Sequence, residues 1–167
     1  MKKIIIALVM FAGISSANAQ EIKYGVRAGF NSAMITASAG GVSVSGSESG
    51  FFVGGFATIG ISEKFSVQPE VLYASVKDLG QIQVPILAKY NFTNEIAVLA
   101  GPEIGFLSGN ASGDKKFNYG ITAGGSYDIT ENFIIDLRYN FGIANLSPGA
   151  GFTSTLSNFQ VGVGYRF

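Results

Sequence analysis

The amino-acid sequence predicts an all-β protein, namely an eight-stranded antiparallel up-and-down transmembrane β-barrel that is preceded by a cleavable signal peptide. Three observations predict this fold. Apolar residues recur at every second position through eight segments of the chain. Only 13% of the 167 residues are charged, about half of the ~25% that is usual in soluble domains. Short polar turns alternate with connections that are mostly longer.

The N-terminal segment has the pattern of a secretory signal peptide. Two lysines precede an uncharged run over residues 4–14, and small residues follow up to Ala19. The run is too short to cross a membrane as a helix, which needs about 20 residues. We therefore expect a signal peptide over residues 1–19, export through the Sec pathway, and a barrel domain over residues 20–167.

The alternation places the predicted strands near residues 22–34, 51–61, 65–77, 80–92, 95–107, 117–129, 132–143 and 158–167. One face of each strand is apolar, and the other carries Gly, Asn, Gln, Ser and a few charges. The second strand is the least regular, because Phe52 and Phe56 are out of phase with Phe51 and Val53.

The composition of the two faces distinguishes two barrels that share this alternation. A soluble barrel buries its apolar face and covers its surface with charged residues, whereas a transmembrane barrel turns the apolar face to lipid. Here the apolar face has no charge and contains all seven tyrosines, which cluster toward the strand ends. We therefore predict contact with outer-membrane lipid; the alternative is a soluble periplasmic lipid-binding barrel.

The connections give the orientation. Three similar short turns follow the second, fourth and sixth strands, and longer loops are expected over residues 35–50, 108–116 and 144–157. The connection at residues 78–80 is short and breaks this pattern. Because outer-membrane barrels have short periplasmic turns and longer extracellular loops, an even strand number places both termini in the periplasm.

Three segments resemble the porin-like outer-membrane β-barrel family, including the PorT-like proteins of Gram-negative bacteria. They are residues 83–90 (QVPILAKY), 100–105 (AGPEIG) and 161–167 (VGVGYRF). The resemblance extends over essentially all of residues 20–167. It implies a barrel of the outer membrane, and a C-terminal strand ending in Phe167 that the barrel-assembly machinery recognises. The family has porin-like, adhesive and secretion-associated members, so the resemblance selects no single function.

The first set of candidate site residues consists of charges on the polar face. These are Lys23, Arg27, Glu70, Lys89, Glu103, Asp136, Arg138 and Arg166. The interior of an eight-stranded barrel is only wide enough for side chains to fill it, and a charge in such a space must be paired. We expect a salt-bridged network that narrows the lumen; the alternative is an ion path lined by fixed charges.

The second set consists of aromatic residues on the apolar face, where we expect girdles at the two membrane interfaces. They are Tyr24, Phe30, Tyr73, Tyr90, Phe92, Phe106, Tyr119, Tyr127, Phe133, Phe141, Tyr165 and Phe167. Three prolines in neighbouring strands, Pro69, Pro85 and Pro102, lack the N–H that a closed ladder needs. We predict β-bulges there and a weak seam, with a lateral opening or a partner contact as the alternative.

The residue types that are missing exclude several kinds of site. The chain has no His and no Cys, which excludes Ser-His catalysis, disulfides and the usual zinc sites. Its formal net charge of zero gives no electrostatic footprint for nucleic acid.

We predict a monomeric, non-enzymatic outer-membrane barrel without cofactors, porin-like or structural, whose extracellular ligand the sequence does not specify. The alternatives are a narrow passive channel and an adhesion or secretion-assembly component.

Overall fold

The protein forms a closed barrel of eight antiparallel strands in chain order, which confirms the predicted fold class. The structure is a computed structural model that describes residues 22–77, 79–108, 116–147 and 151–167. The strands are β1 (Ile22–Ala39), β2 (Val42–Gly60), β3 (Phe65–Val76), β4 (Leu79–Asn91), β5 (Ile96–Ser108), β6 (Phe117–Asp128), β7 (Phe133–Gly142) and β8 (Phe152–Arg166). Among these described residues, no helix is long and apolar enough to span a membrane. The signal peptide expected over residues 1–19 lies outside them.

The register of the strands sets the tilt and the width of the barrel. Tracing paired residues once round the barrel from Ile22 leads back to β1 at Ser32, ten residues further along. A stagger of this size over eight strands corresponds to a strand tilt of about 40°. The interior of such a barrel is therefore narrow, and side chains from opposite strands reach one another.

Three turns of one design connect the strands at one end, called here the turn end: residues 61–64, 92–95 and 129–132. In each turn the first N–H donates to the carbonyl oxygen of the residue that opens the next strand, at 2.8–2.9 Å. That residue's own N–H donates to a Ser or Thr hydroxyl within the turn, at 3.0–3.1 Å. The repeated Ser/Thr position seen in the sequence therefore has a structural cause.

The opposite end, called the loop end, differs from the prediction. Residues 35–50 are not a loop: β1 and β2 continue through them as a paired hairpin that closes at Gly40 and Gly41. Both glycines have positive φ (56° and 84°), which a two-residue hairpin turn requires. The high Gly and Ser content concealed the alternation in this segment.

The other two predicted loops are shorter in the structure, or only partly described. β8 begins at Phe152 rather than at 158, so it takes in the end of the loop expected over residues 144–157. Residues 109–115, most of the loop expected over residues 108–116, lie outside the described part of the chain.

The two faces of the barrel lie as predicted. Large apolar side chains of all eight strands are exposed on the outside, and the polar and charged side chains of the alternate positions are buried inside. Phe52 and Phe56 are aromatic residues that instead point into the interior, where they are 1% and 7% exposed. Phe52 and Phe56 were out of phase in the second predicted strand because their rings face the interior.

The three prolines do not produce the predicted bulges. The β2–β3, β3–β4 and β4–β5 pairings are each interrupted beside one proline and then resume in the same register, so no residue is inserted. The physical reason is that proline suits an extended strand and removes only one donor. The interruptions lie on three neighbouring seams of the barrel, beside Pro69, Pro85 and Pro102 respectively.

Candidate functional site: the filled barrel interior

The interior side chains form four successive groups between the two ends of the barrel. We call them, from the turn end, the vestibule, the ion cluster, the amide layer and the apolar cap. The strand register sets their order, because side chains at the same height on different strands meet across the lumen.

The ion cluster joins four charges that the sequence separates by up to 111 positions. Arg27 donates to Glu70 Oε2 at 2.9 Å and also to Asp136. Arg138 Nη1 lies 2.7 Å from both oxygens of Glu70, and its Nε lies 3.4 Å from Asp136 Oδ1. Gln68 adds a hydrogen bond to Glu70 at 2.7 Å. The cluster contains two cations and two anions, and all four side chains are at most 4% exposed, so its charge is balanced. The Nε atoms of Arg27 and Arg138 are buried without a hydrogen-bond partner among the described residues.

The guanidinium of Arg27 also lies over the ring of Phe52, with Cζ at 4.6 Å from the ring centroid. Phe52 occupies the space that glycines of the neighbouring strands leave open. A Cβ added at Gly162 would lie 2.5 Å from Phe52 Cζ. The ring and the glycine are therefore complementary in shape, and together they fill this part of the lumen.

The amide layer connects several strands by neutral hydrogen bonds. Gln160 Nε2 donates to Gln83 Oε1 at 2.9 Å, and Gln83 Nε2 donates to Gln81 Oε1 at 3.1 Å. Between β5 and β6, Thr122 donates to Glu103 at 2.5 Å. Among the described residues, no cation forms a salt bridge with Glu103, so this carboxylate has a neutral partner, unlike Glu70.

The apolar cap closes the loop end. It is a cluster of five buried apolar side chains with a partly buried Leu146 packed against it: Ala33, Val76, Leu79, Leu107 and Leu156. Beside the ion cluster, a cavity lined by Arg27, Asp136 and Arg138 among others has a volume of only about 10 Å³. The interior is thus filled above the vestibule.

The vestibule is an open cavity of about 780 Å³ at the turn end. It contains the remaining charges predicted for the interior, Lys23, Lys89 and Arg166, together with Asp128. Arg166 Nη2 donates to Asp128 Oδ2 at 3.0 Å, whereas Lys89 Nζ is 3.9 Å from Asp128 Oδ1. The predicted interior charges therefore fall into two separate groups, with Glu103 apart from both.

The predicted girdle residues lie in two bands on the outer face. Seven are near the turn end and contact each other in places, as Tyr165 does with Phe133 at 5.1 Å and with Phe167 at 5.5 Å between ring centroids. The seven are Tyr24, Tyr90, Phe92, Tyr127, Phe133, Tyr165 and Phe167. The other five lie toward the loop end: Phe30, Tyr73, Phe106, Tyr119 and Phe141.

Some interior residues were missing from the prediction although a signal for them exists. Asp128 lies in the polar phase of its strand and could have been included on that ground. Five buried leucines also lie in the polar phase of their strands, two of them in the apolar cap: Leu72, Leu87, Leu99, Leu107 and Leu156. An apolar residue at a position of the polar strand face indicates that its side chain packs in the barrel interior. Periodicity alone does not give the height of that side chain along the barrel axis.

An apolar outer surface, a polar interior and closure without a free edge together define an integral outer-membrane β-barrel protein. A family model, "Outer membrane protein beta-barrel domain", matches residues 4–167, and the chain belongs to this family. This match confirms the general family that the sequence motifs resembled, and with it the outer-membrane location. A sequence comparison with curated proteins finds no match.

Solved structures with a similar fold include three bacterial outer-membrane proteins. Neisserial surface protein A is 19% identical, with a TM-score of 0.52, over 86% of this chain and 97% of that chain. Ail, the attachment invasion locus protein of Yersinia pestis, is 15% identical, with a TM-score of 0.50, over 88% and 99%. The N-terminal barrel domain of Pseudomonas aeruginosa OprF is 15% identical, with a TM-score of 0.50, over 89% and 100%. At these identities the likeness concerns the fold.

Proposed function

We propose that this outer-membrane protein is a non-enzymatic structural barrel whose lumen is closed, and not a channel. The observation that carries the proposal is the apolar cap above a neutralised ion cluster. A conducting pore needs a continuous polar path, and an ion would here have to pass buried salt bridges and then the leucines of the cap. In the described chain, no cluster of acidic residues could hold a metal ion.

Single-channel recording in a planar bilayer tests this proposal. We expect no discrete conductance steps from refolded mature protein whose folded state is verified by its heat-dependent gel mobility. Glu70→Gln and Arg27→Gln are the diagnostic variants, because they change the charge of the ion cluster that an ion would have to pass. Reproducible steps in the wild-type protein that either variant alters would contradict closure and favour the narrow passive channel.

The biogenesis that we propose follows from the ends of the chain. Residues 1–19 act as a signal peptide that is removed after Sec export, and the C-terminal strand ending in Phe167 is recognised by the barrel-assembly machinery. The barrel works as a monomer in outer-membrane lipid, without a nucleic-acid partner. Support comes from the signal-like composition and from the exposed aromatic C-terminus, whose side chain is 73% exposed on the outer face. Deleting Phe167 should slow assembly in cells without changing the refolded barrel.

The protruding hairpin favours adhesion as a second candidate function. Part of β2, residues 42–49, extends beyond the end of β3, whose pairing with β2 stops at Gly50. In this region the polar residues lie on the outer face of the sheet and the apolar residues lie on the face that continues the lumen side. The outer face carries hydroxyl pairs such as Thr36–Ser45 at 3.0 Å, whereas the face that continues the lumen side carries exposed Val42, Val44 and Phe152. An exposed apolar sheet face of this kind marks an interaction site.

Adhesion is tested on cells that display the protein, with polystyrene as an apolar probe surface. We expect the triple replacement of Val42, Val44 and Phe152 by Ser to lower adherence while surface expression and heat-dependent mobility stay unchanged. The matched control replaces Thr36, Ser38 and Ser43 on the opposite face by Ala. Equal adherence of wild type and the Ser variant would remove adhesion as a candidate.

A further inference from the structure

A buried lysine at the floor of the vestibule has, within the described chain, one counter-charge, a carboxylate that is beyond hydrogen-bond distance and is shared with Arg166. Lys89 is 4% exposed, and its ammonium has three donors to satisfy. Asp128 Oδ1, at 3.9 Å, is beyond hydrogen-bond distance. In the described part of the chain, no other carboxylate forms a salt bridge with Lys89. A cation in such a place needs an acceptor, and the open side of the cavity is where an acceptor could enter.

Two further donors face the same cavity without a partner among the described residues. Ser66 lies directly across from Lys89 in the β3–β4 register, and its hydroxyl is buried and unpaired. Arg166, 9% exposed, uses Nη2 for Asp128 and leaves Nε unpaired. Buried polar atoms are nearly always satisfied by protein, by water or by a bound ion. An ammonium, a hydroxyl and a guanidinium N–H therefore present unfilled donors to one space.

The charge balance indicates the sign of the missing partner. Lys89 and Arg166 share one carboxylate, Asp128, which leaves one positive charge on the inner wall of the vestibule. The other charged residues that line the cavity are Lys23 and Glu63, one of each sign, so the lining as a whole keeps one surplus positive charge. In the same cavity, Asp128 Oδ1 is an acceptor that is unpaired among the described residues, but the donors outnumber it. Together with the surplus positive charge, the donors favour an oxyanion, which offers acceptors only.

We propose that the vestibule binds a small oxyanion group, a carboxylate or a phosphate, presented from the periplasm. The cavity of about 780 Å³ is within the range of small-molecule sites, about 300–1,000 Å³, and it opens at the turn end. The site goes beyond the proposed structural function, since it needs only the open turn end and not a closed lumen. A bound anion would accept hydrogen bonds from Lys89, Ser66 and Arg166. It would also connect the barrel to an anionic component of the periplasm.

NMR titration of isotope-labelled protein in lipid nanodiscs tests the site with three probes at constant ionic strength. Acetate represents a carboxylate, inorganic phosphate represents a phosphate, and acetamide is the neutral analogue of acetate. We expect saturable shifts of the amide signals of Ser66, Lys89, Asp128 and Arg166 with acetate, phosphate or both, and none with acetamide. The anion that saturates at the lower concentration identifies the ligand class.

Variants separate a specific site from general attraction to positive charge. Lys89→Gln should weaken binding about tenfold or more, as expected for the loss of a charged hydrogen bond, while Lys89→Arg should retain it. Lys77→Gln, which removes the same charge at the loop end, should bind as the wild type does. If Lys89→Gln does not fold, Ser66→Ala should still weaken binding in a folded barrel.

Three results would overturn the oxyanion site. They are the absence of saturable shifts, equal binding by wild type and Lys89→Gln, and equal loss of binding in Lys89→Gln and Lys77→Gln. None of them bears on whether the lumen conducts, so the conductance experiment and this titration fail independently.

Discussion

Two buried carboxylates illustrate how the same residue type has different consequences in one interior. Glu70 accepts hydrogen bonds from Arg27, Arg138 and Gln68, whereas Glu103 accepts one from the neutral Thr122. Removing one partner of a buried ion pair leaves an uncompensated charge. Glu103 has no cationic partner in the described part of the chain, so neutralising it leaves no uncompensated charge behind.

Neutralising these two residues should therefore have unequal effects. We expect Glu70→Gln to lower the free energy of unfolding by about 3–5 kcal/mol, because two arginines lose their shared counter-charge. Glu103→Gln keeps an acceptor oxygen for Thr122 and should change the free energy of unfolding by less than about 1 kcal/mol. Urea unfolding of the barrel in detergent, followed by tryptic resistance and gel mobility, measures both. Equal losses would contradict the assignment of the ion cluster.

A second contrast at the residue scale concerns two glycines of β8. A Cβ at Gly162 would lie 2.5 Å from Phe52 Cζ, whereas at Gly164 the nearest atom would be 3.5 Å away. Gly162→Ala should destabilise the barrel by about 1–3 kcal/mol, as overpacking does, and Gly164→Ala should be tolerated. The same unfolding experiment applies. Combining Gly162→Ala with Phe52→Leu should recover part of the loss, since the smaller side chain makes room.

At the scale of the strand, the spacing of the two aromatic bands on the outer face indicates the thickness of membrane that the barrel spans. On β7, Phe133 and Phe141 are eight residues apart, which at a tilt of about 40° separates the two aromatic bands by about 20 Å. This distance is close to the ~25 Å apolar band of such barrels. Leu137 lies midway between the two rings and is 52% exposed on the outer face.

An arginine at the middle of this band should be costly, and one on the protruding hairpin should not. We expect Leu137→Arg to reduce stability by about 2–4 kcal/mol and to impair insertion into liposomes. Val44→Arg is the control, because Val44 is equally apolar but extends beyond the barrel and is 69% exposed. Normal insertion of Leu137→Arg would mean that the apolar face does not meet lipid.

Across the whole molecule, the strand ladders are not uniform. Pairing is interrupted beside a proline on three consecutive seams from β2 to β5. The β1–β2, β1–β8 and β5–β6 pairings are uninterrupted from end to end. Each missing ladder bond leaves neighbouring amides less protected, so the side of the barrel around β3 and β4 should open more readily.

Hydrogen exchange measured by mass spectrometry on the folded barrel tests this unevenness. Peptides covering residues 68–71 and 84–87 should exchange about tenfold faster than peptides covering 25–28 and 162–165. The comparison is internal to one sample, so lipid and temperature are matched. Uniform protection would indicate that the prolines have no effect on local stability.

Much of the fold could be predicted because its signal is local. Period-two alternation gave eight strands, the uncharged apolar face gave the side that meets lipid, and the repeated Ser/Thr turns gave the turn end. The prediction was wrong where composition concealed alternation, as in the hairpin at residues 35–50. It was also wrong at the prolines, where an expected insertion proved to be a lost hydrogen bond.

The sequence by itself determined which side chains face the interior, because parity along a strand is a local property. Only the tertiary structure decided which of them meet. Arg27 pairs with Asp136 across 109 positions and Arg138 with Glu70 across 68, and Lys89 lies in a different group. The physical reason is that height along the barrel axis depends on the stagger accumulated over all eight strands. That stagger, which periodicity does not reveal, separates the ion cluster from Lys89, whose nearest carboxylate lies 3.9 Å away.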